Sequence, residues 1–203
     1  LDEVGLALID IPIGLPERAE RNSDYAVRKL LEVRRSSVFP MPVRTAVYAS
    51  TYEDACRINE KATGKKLSKQ AWNIMPKVKS IDRFLRSREE YRLVLRESSP
   101  EYCFLLASGR APDHGKRTRE GFRERSDILA HSLSEWDQVL TEARNAYPRK
   151  VLADDDILDA AIRAVSAFCA LRRGTVEVPP EIDYDEYGLP IQAIFGQRIE
   201  KNE

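Results

Sequence analysis

The chain has 203 residues, of which 42% are hydrophobic and 33% are charged. A chain of this length buries enough surface for one domain with a substantial core, and it has no run of about 18 apolar residues that would span a bilayer. Lysine plus arginine and aspartate plus glutamate both number 33, so no net positive charge attracts a polyanion from a distance. The composition predicts a single soluble globular domain over residues 1–203 with no membrane partner.

The cysteines favour a reducing compartment. Cys56, Cys103 and Cys169 are odd in number, far apart in sequence and free of CxxC spacing, which argues against both a disulfide framework and a zinc site. The first residues, "LDEVG", lack the basic and apolar regions of a signal peptide. We therefore predict a cytoplasmic location, and the missing initiator Met predicts that the chain begins inside a longer protein.

The N-terminal segments alternate between strand and helix patterns. Residues 4–11 form a nearly continuous apolar run that predicts a buried central strand, although the run contains the carboxylate of Asp10. Ser23 is positioned to cap a helix over residues 24–34. The segment "SSVFPMPVR", residues 36–44, predicts an extended loop because its two prolines oppose helical geometry.

Three further helices are predicted before the middle of the chain. Thr51 begins a capping-box pattern for a helix over residues 52–63. Ser68 and Ser80 each precede a helical stretch. Because proline breaks helical hydrogen bonding, we expect two shorter helices separated at Pro76.

The second half repeats the pairing of a strand with an acid. Residues 91–97, "YRLVLRE", have strand composition and end on Glu97. Residues 155–172 give the strongest helix pattern in the chain. Its predicted apolar stripe consists of Ile157, Ala161, Ala164, Val165 and Phe168. The acidic segment 176–190 predicts turns, and "IQAIF", residues 191–195, predicts a last short strand.

Three aspartates share one face of this strong helix. Asp155 and Asp156 lie four and three residues before Asp159, so all three side chains project from neighbouring positions. The alternative is that the consecutive aspartates simply favour the positive end of the helix dipole. That alternative explains Asp159 poorly, because this residue lies a full turn inside an apolar helix.

The acids at the two strand ends extend this pattern. Asp10 and Glu97 would lie close together if their strands are neighbours, because ligands collect at the carboxyl ends of strands in open α/β sheets. Glu101, four residues beyond Glu97, is a further candidate. Clustered carboxylates favour Mg²⁺ or Mn²⁺ over zinc, and two such ions can promote hydrolysis of a phosphodiester.

Motifs in order along nearly the whole chain resemble those of the DUF429 family. They are "IDIPIGLP" (9–16), "RRSSVFPMPVR" (34–44), "TGKKLSKQAWNIMPKVKSID" (63–82), "ESSPEYCF" (97–104), "GKRTREGFRER" (115–125), "DDILDA" (155–160) and "GLPIQAIF" (188–195). Members of this family are described as predicted nucleases with an RNase H-like fold. The resemblance implies an α/β fold, with a mixed sheet flanked by helices on both faces.

The same resemblance implies roles for particular residues. Asp10 would be the acid of the fourth strand, Glu97 or Glu101 would belong to the fifth strand and its exit, and Asp156 and Asp159 would be the helical acids. The basic positions that match, and that would hold phosphates, are Lys69, Lys77, Lys116 and Arg125. Solvated or salt-bridged structural roles are the alternative for these four. The family's usual acid on a first strand has no counterpart, so this sequence is expected to begin after the N-terminal hairpin. Either the sequence omits those residues or the protein has lost a principal metal ligand.

These observations give two functional hypotheses. The first is a nuclease that hydrolyses phosphodiester bonds at a Mg²⁺ or Mn²⁺ site formed by Asp10, Glu97, Asp156 and Asp159, with Glu101 as a further catalytic acid and nucleic acid as the partner. The second is a non-catalytic binding or scaffold module that keeps the RNase H-like fold but has an incomplete metal site. The missing first-strand acid and the zero net charge motivate the second hypothesis.

Overall fold

A computed structural model describes residues 4–197, so the predicted domain limits at 1 and 203 lie outside the described residues. Within them the chain forms two compact units. Unit 1 contains residues 4–98 and 177–194, and unit 2 contains residues 99–176 and 195–197. The single-domain organisation stays a prediction, since two compact units can belong to one domain.

The described residues include one mixed sheet of four strands. These are β1 (Ala7–Ile9), β2 (Leu95–Glu97), β3 (Thr175–Tyr184) and β4 (Pro190–Gly196), in the order β1-β2-β4-β3. β1 and β2 are parallel, with Ile9 opposite Glu97, and β2 is parallel to β4, with Glu97 opposite Ala193. Together with the helices, this sheet confirms the α/β class.

The positions of the predicted strands are confirmed except in one segment, but the buried central location predicted for residues 4–11 is wrong. Among the described strands β1 lies at the edge of the sheet, and its residues are only half-buried. β1 and β2 are shorter than the apolar runs that contain them, and β4 includes the predicted strand at 191–195. The prediction of turns over 176–190 is wrong for most of that segment, because β3 extends through Pro179 and Pro180. β3 lies at the sheet edge, where a proline removes a hydrogen-bond donor that has no strand to bond on its outer side.

Unit 1 contains the helices α1 (Asn22–Leu31), α2 (Arg44–Val47), α3 (Tyr52–Thr63) and α4 (Lys69–Ser87). The predicted start of α3 is confirmed, because the hydroxyl of Thr51 accepts a hydrogen bond from the Asp54 N–H at 3.1 Å. Ser23 does not cap α1, since it lies buried inside the first turn. A 3₁₀ helix over Glu32–Ser37 replaces the start of the predicted extended loop, and residues 38–43 are irregular.

The predicted break at Pro76 is wrong, because α4 continues through it. Pro76 is exposed, whereas Ala71, Met75 and Val78 are buried in the core of unit 1. A proline inside a helix costs about 3 kcal/mol, and burial of each apolar side chain gains about 1.5–3 kcal/mol. The buried face on both sides of the proline therefore outweighs its cost. Ser80 lies inside the helix and donates to the Pro76 carbonyl at 3.0 Å.

Unit 2 is mainly helical. It contains α5 (Pro100–Ser108), α6 (Arg119–Ser132), α7 (Trp136–Ala146) and α8 (Asp154–Arg173). α8 matches the predicted strong helix, but the predicted stripe is wrong at Ala164 and Phe168, which are exposed, Phe168 by 58%. The buried face instead includes Ser166, whose hydroxyl accepts a hydrogen bond from the Gly196 N–H at 2.9 Å. Among residues 4–197, none of the helices is both long and apolar enough to cross a bilayer.

The segment after β1 belongs to the core of unit 1. Ile13 and Leu15 are almost fully buried. Between them, Gly14 has φ +76°, and a Cβ atom there would lie 2.7 Å from the Pro190 carbonyl oxygen. Only glycine allows this close approach without strain, so the chain leaving β1 is fixed against the beginning of β4.

Candidate active site

The two acids predicted at strand ends follow neighbouring parallel strands, as expected. Glu97 is the last residue of β2 and lies opposite Ile9, the last residue of β1. Asp10 comes directly after Ile9 and is exposed. The register therefore places both acids at the carboxyl ends of β1 and β2.

Glu97 is occupied by contacts inside unit 1. Its Oε2 accepts hydrogen bonds from the Ile13 N–H at 2.8 Å and from the Arg21 guanidinium at 2.5 Å. Arg21 is completely buried and also pairs with Asp24. It donates to the carbonyls of Ile13 at 2.7 Å and Gly14 at 2.9 Å. Arg21 therefore joins Glu97 to the backbone that follows β1. Sequence reasoning missed this residue, because nothing in the local pattern marks it as buried.

Four other predicted residues meet in unit 2. Lys116 lies between α5 and α6, and its Nζ is 2.6 Å from Oδ2 of Asp159 on α8. On the same helix, Oδ2 of Asp155 is 3.9 Å from that ammonium. Arg125 on α6 donates to both carboxylate oxygens of Glu101 on α5, each at 2.9 Å. We call Glu101, Lys116, Arg125, Asp155 and Asp159 the acid–base cluster.

Electrostatics connect the two ion pairs of this cluster. Burial raises the pKa of the Asp159 carboxyl above its ordinary value. The Lys116 ammonium acts in the opposite direction, and the negative charge of Glu101 raises this pKa further. The carboxylate of Asp159 is thus held in a partly desolvated setting with one cation beside it and a second acid nearby.

Asp156 has a different contact from Asp159. Its Oδ2 accepts a hydrogen bond from the Ala153 N–H at 3.2 Å, at the beginning of α8. Asp154 also lies at this end and pairs with Arg144. The dipole interpretation of the consecutive aspartates therefore fits Asp154 and Asp156, whereas Asp155 and Asp159 face Lys116.

The predicted basic residues differ in exposure. Lys116 is one-third exposed, but the side chain of Arg125 is 0% exposed. Arg125 also donates to the carbonyls of His114 and Gly121, so in this arrangement its guanidinium faces the interior of unit 2. Lys69 and Lys77 lie exposed on α4 in unit 1, and the Lys69 ammonium is 3.3 Å from the centroid of the Tyr52 ring.

A close backbone approach holds the turn that carries Lys116. A Cβ atom on Gly121 would lie 2.0 Å from the Gly115 carbonyl oxygen. We expect Gly121→Ala to lower the free energy of unfolding by about 1–3 kcal/mol, because the turn must move to admit the methyl group. Urea denaturation followed by circular dichroism measures this change.

The matched control is Gly115→Ala in the same turn. A Cβ atom there would meet only the Thr118 side chain, at 3.9 Å. We expect its free energy of unfolding to stay within about 0.5 kcal/mol of the parent chain. Equal losses in the two variants would contradict the role assigned to Gly121.

The described carboxylates do not form a ready-made metal site. Within residues 4–197, no three histidine, cysteine or acidic side chains are grouped so that they could hold an ion. Asp10 and Glu97 belong to unit 1, and Glu101, Asp156 and Asp159 belong to unit 2. Protein cations already pair with Glu97, Glu101 and Asp159. The metal-binding roles of the predicted acids therefore stay predictions.

The fold and the acid–base cluster define an α/β protein with two buried carboxylates, each of which pairs with a cation. A family model described as a protein of unknown function (DUF429) matches residues 2–184, and the chain belongs to the DUF429 family. Comparisons with curated proteins and with solved structures found no significant match.

Proposed function

We propose that this chain is a nuclease that hydrolyses phosphodiester bonds and has an RNase H-like fold. One observation carries the proposal: four predicted site residues from three separate segments meet in the acid–base cluster, namely Glu101, Lys116, Arg125 and Asp159. The α/β class agrees with the RNase H-like fold that the resemblance to the DUF429 family implies. We also propose a cytoplasmic location, in which the three buried thiols stay reduced.

Two residues of the cluster have the chemistry that this reaction requires. Lys116 is the partly exposed cation, and its ammonium can contact a phosphate oxygen. Asp159 has a raised pKa, which suits a carboxylate that accepts a proton from an attacking water. Arg125 holds Glu101 in place from the interior and so acts as a positioning residue.

Mg²⁺ or Mn²⁺ is the proposed cofactor, because hard cations prefer carboxylate oxygens. An ion at Asp159 would replace the existing pair with Lys116, and an ion at Glu97 would replace the pair with Arg21. The protein cations now present favour the second candidate function, a non-catalytic RNase H-like binding or scaffold module. Metal binding therefore separates the two candidates.

The experiment compares the parent chain with Asp159→Asn and Asp10→Asn. Labelled RNA, DNA and RNA–DNA hybrid are incubated with each protein and Mn²⁺, and products are separated on gels. We expect a loss of at least about 100-fold in rate for Asp159→Asn, since a positioned proton acceptor contributes about 10²–10⁴-fold. We also expect Asp10→Asn to lose activity, while Asp127→Asn, an exposed position on α6, stays active.

Equal cleavage by the parent and Asp159→Asn would contradict the nuclease assignment and indicate a contaminant. Calorimetric titration with Mn²⁺ completes the comparison. Binding that disappears in Asp10→Asn would count against the non-catalytic module. No cleavage together with no Mn²⁺ binding would favour that module.

A further inference from the structure

Two cavities of unit 1 meet at Tyr25, away from the residues assigned above. The first has a volume of about 330 Å³ and the second, which is more open, about 900 Å³. Tyr25 and Arg28, both on α1, line both cavities. We call the two cavities together the Tyr25 groove. The smaller cavity alone falls within the range of about 300–1,000 Å³ that is typical of ligand sites.

The groove is positively charged in an otherwise neutral chain. Its cations are Arg28, Lys29, Arg35, Lys65 and Lys66, against two carboxylates, those of Glu20 and Glu32. Lys29, Arg35, Lys65 and Lys66 are exposed. Since the charges of the whole chain cancel, this local excess is a feature of the groove itself, and it favours an anionic ligand.

The ring of Tyr25 is held in place between these cations. Its hydroxyl donates to the Glu20 carboxylate and accepts from Lys65 Nζ at 3.2 Å. Lys65 also pairs with Glu20 at 2.9 Å, and its ammonium is 5.2 Å from the ring centroid. Tyr25 is still 36% exposed. The groove therefore presents a pre-oriented aromatic surface, which loses little entropy when a ligand stacks on it.

The N-terminus of α4 adds a second attraction for anions. Ser68 and Gln70, on either side of the first residue of α4, line the smaller cavity. The dipole at the start of this 19-residue helix favours a phosphate, although the Ser68 hydroxyl already accepts one N–H of the first turn, that of Ala71, at 3.1 Å. Lys65 and Lys66 lie immediately before this terminus. The helix N-terminus and the two lysines therefore both favour an anion in the smaller cavity.

We propose that the Tyr25 groove binds single-stranded nucleic acid, with a base stacked on Tyr25 and the flanking phosphates contacted by the cations of the two cavities. Cations interleaved with an aromatic ring are the usual surface for single strands. A duplex keeps its bases stacked internally, and an acidic peptide offers carboxylates but no row of flat bases. The inference deepens the proposed function by naming the form of substrate bound, and it rests on that function only in this respect.

The test measures binding without metal, so that cleavage plays no part. Labelled single-stranded DNA and RNA of about 12 nucleotides are titrated with protein in EDTA and followed by fluorescence anisotropy. We expect Tyr25→Ala to weaken binding about tenfold, because stacking on an aromatic side chain contributes that much. Tyr25→Phe keeps the ring and should stay within about twofold of the parent chain.

Charge reversal tests the second half of the proposal. We expect Arg35→Glu combined with Lys66→Glu to weaken binding at least about tenfold. The dependence on salt should also become weaker, by about 0.7 in the log–log slope for each phosphate that the variant no longer neutralises. Lys150→Glu, an exposed position in unit 2, is the matched control and should bind like the parent. Circular dichroism checks that every variant is folded.

The outcomes separate this inference from the proposed nuclease. Binding that depends on Tyr25, without cleavage by the parent chain, would support the groove and contradict the nuclease. Cleavage by the parent chain, together with binding that Tyr25→Ala does not weaken, would support the nuclease and contradict the role of the groove. Equal binding of a duplex, or competition by polyglutamate as strong as that by single-stranded DNA, would overturn the proposal. The second result would indicate an acidic protein partner instead.

Discussion

Replacing Arg21 by methionine is expected to lower the free energy of unfolding by about 3–5 kcal/mol, the usual cost of breaking a buried ion pair from one side. Arg21 is fully buried and neutralises Asp24 and Glu97 together. It also satisfies the carbonyls of Ile13 and Gly14. Methionine keeps the apolar stem but leaves two acids and two carbonyls without this donor. Urea denaturation gives the change directly.

The loss should also depend on pH. Burial raises the pKa of Asp24, and Arg21 opposes that rise. Without Arg21 the folded-state pKa is higher still, so the folded chain binds the proton more tightly than the unfolded chain does. The stability of the variant then falls as pH rises through that range. We expect a larger deficit at about pH 8 than at about pH 5.

Arg18→Met provides the control for this prediction. Arg18 is exposed in the same loop before α1, and removal of an exposed charge usually changes stability by less than about 0.5 kcal/mol. A deficit of that small size for Arg21→Met, or one that does not change with pH, would contradict the central role given to the Arg21 guanidinium.

The contacts of Arg21 also explain why the central strand β2 can end on an acid, Glu97. The sequence predicts Glu97 as a metal ligand at a strand end, and it does lie at the end of β2. Its carboxylate accepts the Ile13 N–H from the segment that follows β1, while Arg21 binds the neighbouring carbonyls. One acid and one arginine thus satisfy backbone groups in a core segment that makes no regular strand there, as buried polar groups require.

Local signals predict the elements whose ends are determined locally. Thr51 caps α3 through a neighbour three residues away, and Gly64 ends it with φ +76°. Pro76 misleads the prediction because its cost is local, whereas the burial of Met75 and Val78 depends on residues elsewhere in the core of unit 1. The strand β3 escapes prediction for a similar reason, since its position at the sheet edge, where a proline facing outward is tolerated, is set by the whole sheet.

The sequence indicates which acids belong to the candidate site, but it does not indicate which cation pairs with each acid. The aspartate inside an apolar helix, Asp159, and the acid after β2, Glu101, are both indicated by their positions. Their counter-ions lie 43 residues away at Lys116 and 24 residues away at Arg125. A sequence shows that these charges exist, but the fold decides which ones meet. It also decides that Arg125 is buried, which no local pattern in a basic segment indicates.

The second large loss of stability is expected at the ion pair between Arg125 and Glu101. We expect Arg125→Met to lower the free energy of unfolding by about 3–5 kcal/mol, because it leaves the Glu101 carboxylate in the interior of unit 2 without its bidentate partner. Glu101→Gln should cost a similar amount, since it leaves a buried guanidinium uncompensated. Urea denaturation of both variants measures these losses.

The double variant distinguishes a structural pair from a phosphate-binding arginine. Arg125→Met with Glu101→Gln removes both charges, so its loss should be smaller than the sum of the single losses by about 1–3 kcal/mol. The exposed pair Arg57–Asp54 serves as a matched control, with an expected coupling below about 1 kcal/mol. Additive losses at Arg125 and Glu101 would mean that the two side chains act independently. That result would contradict the assignment of Arg125 and Glu101 as a structural pair.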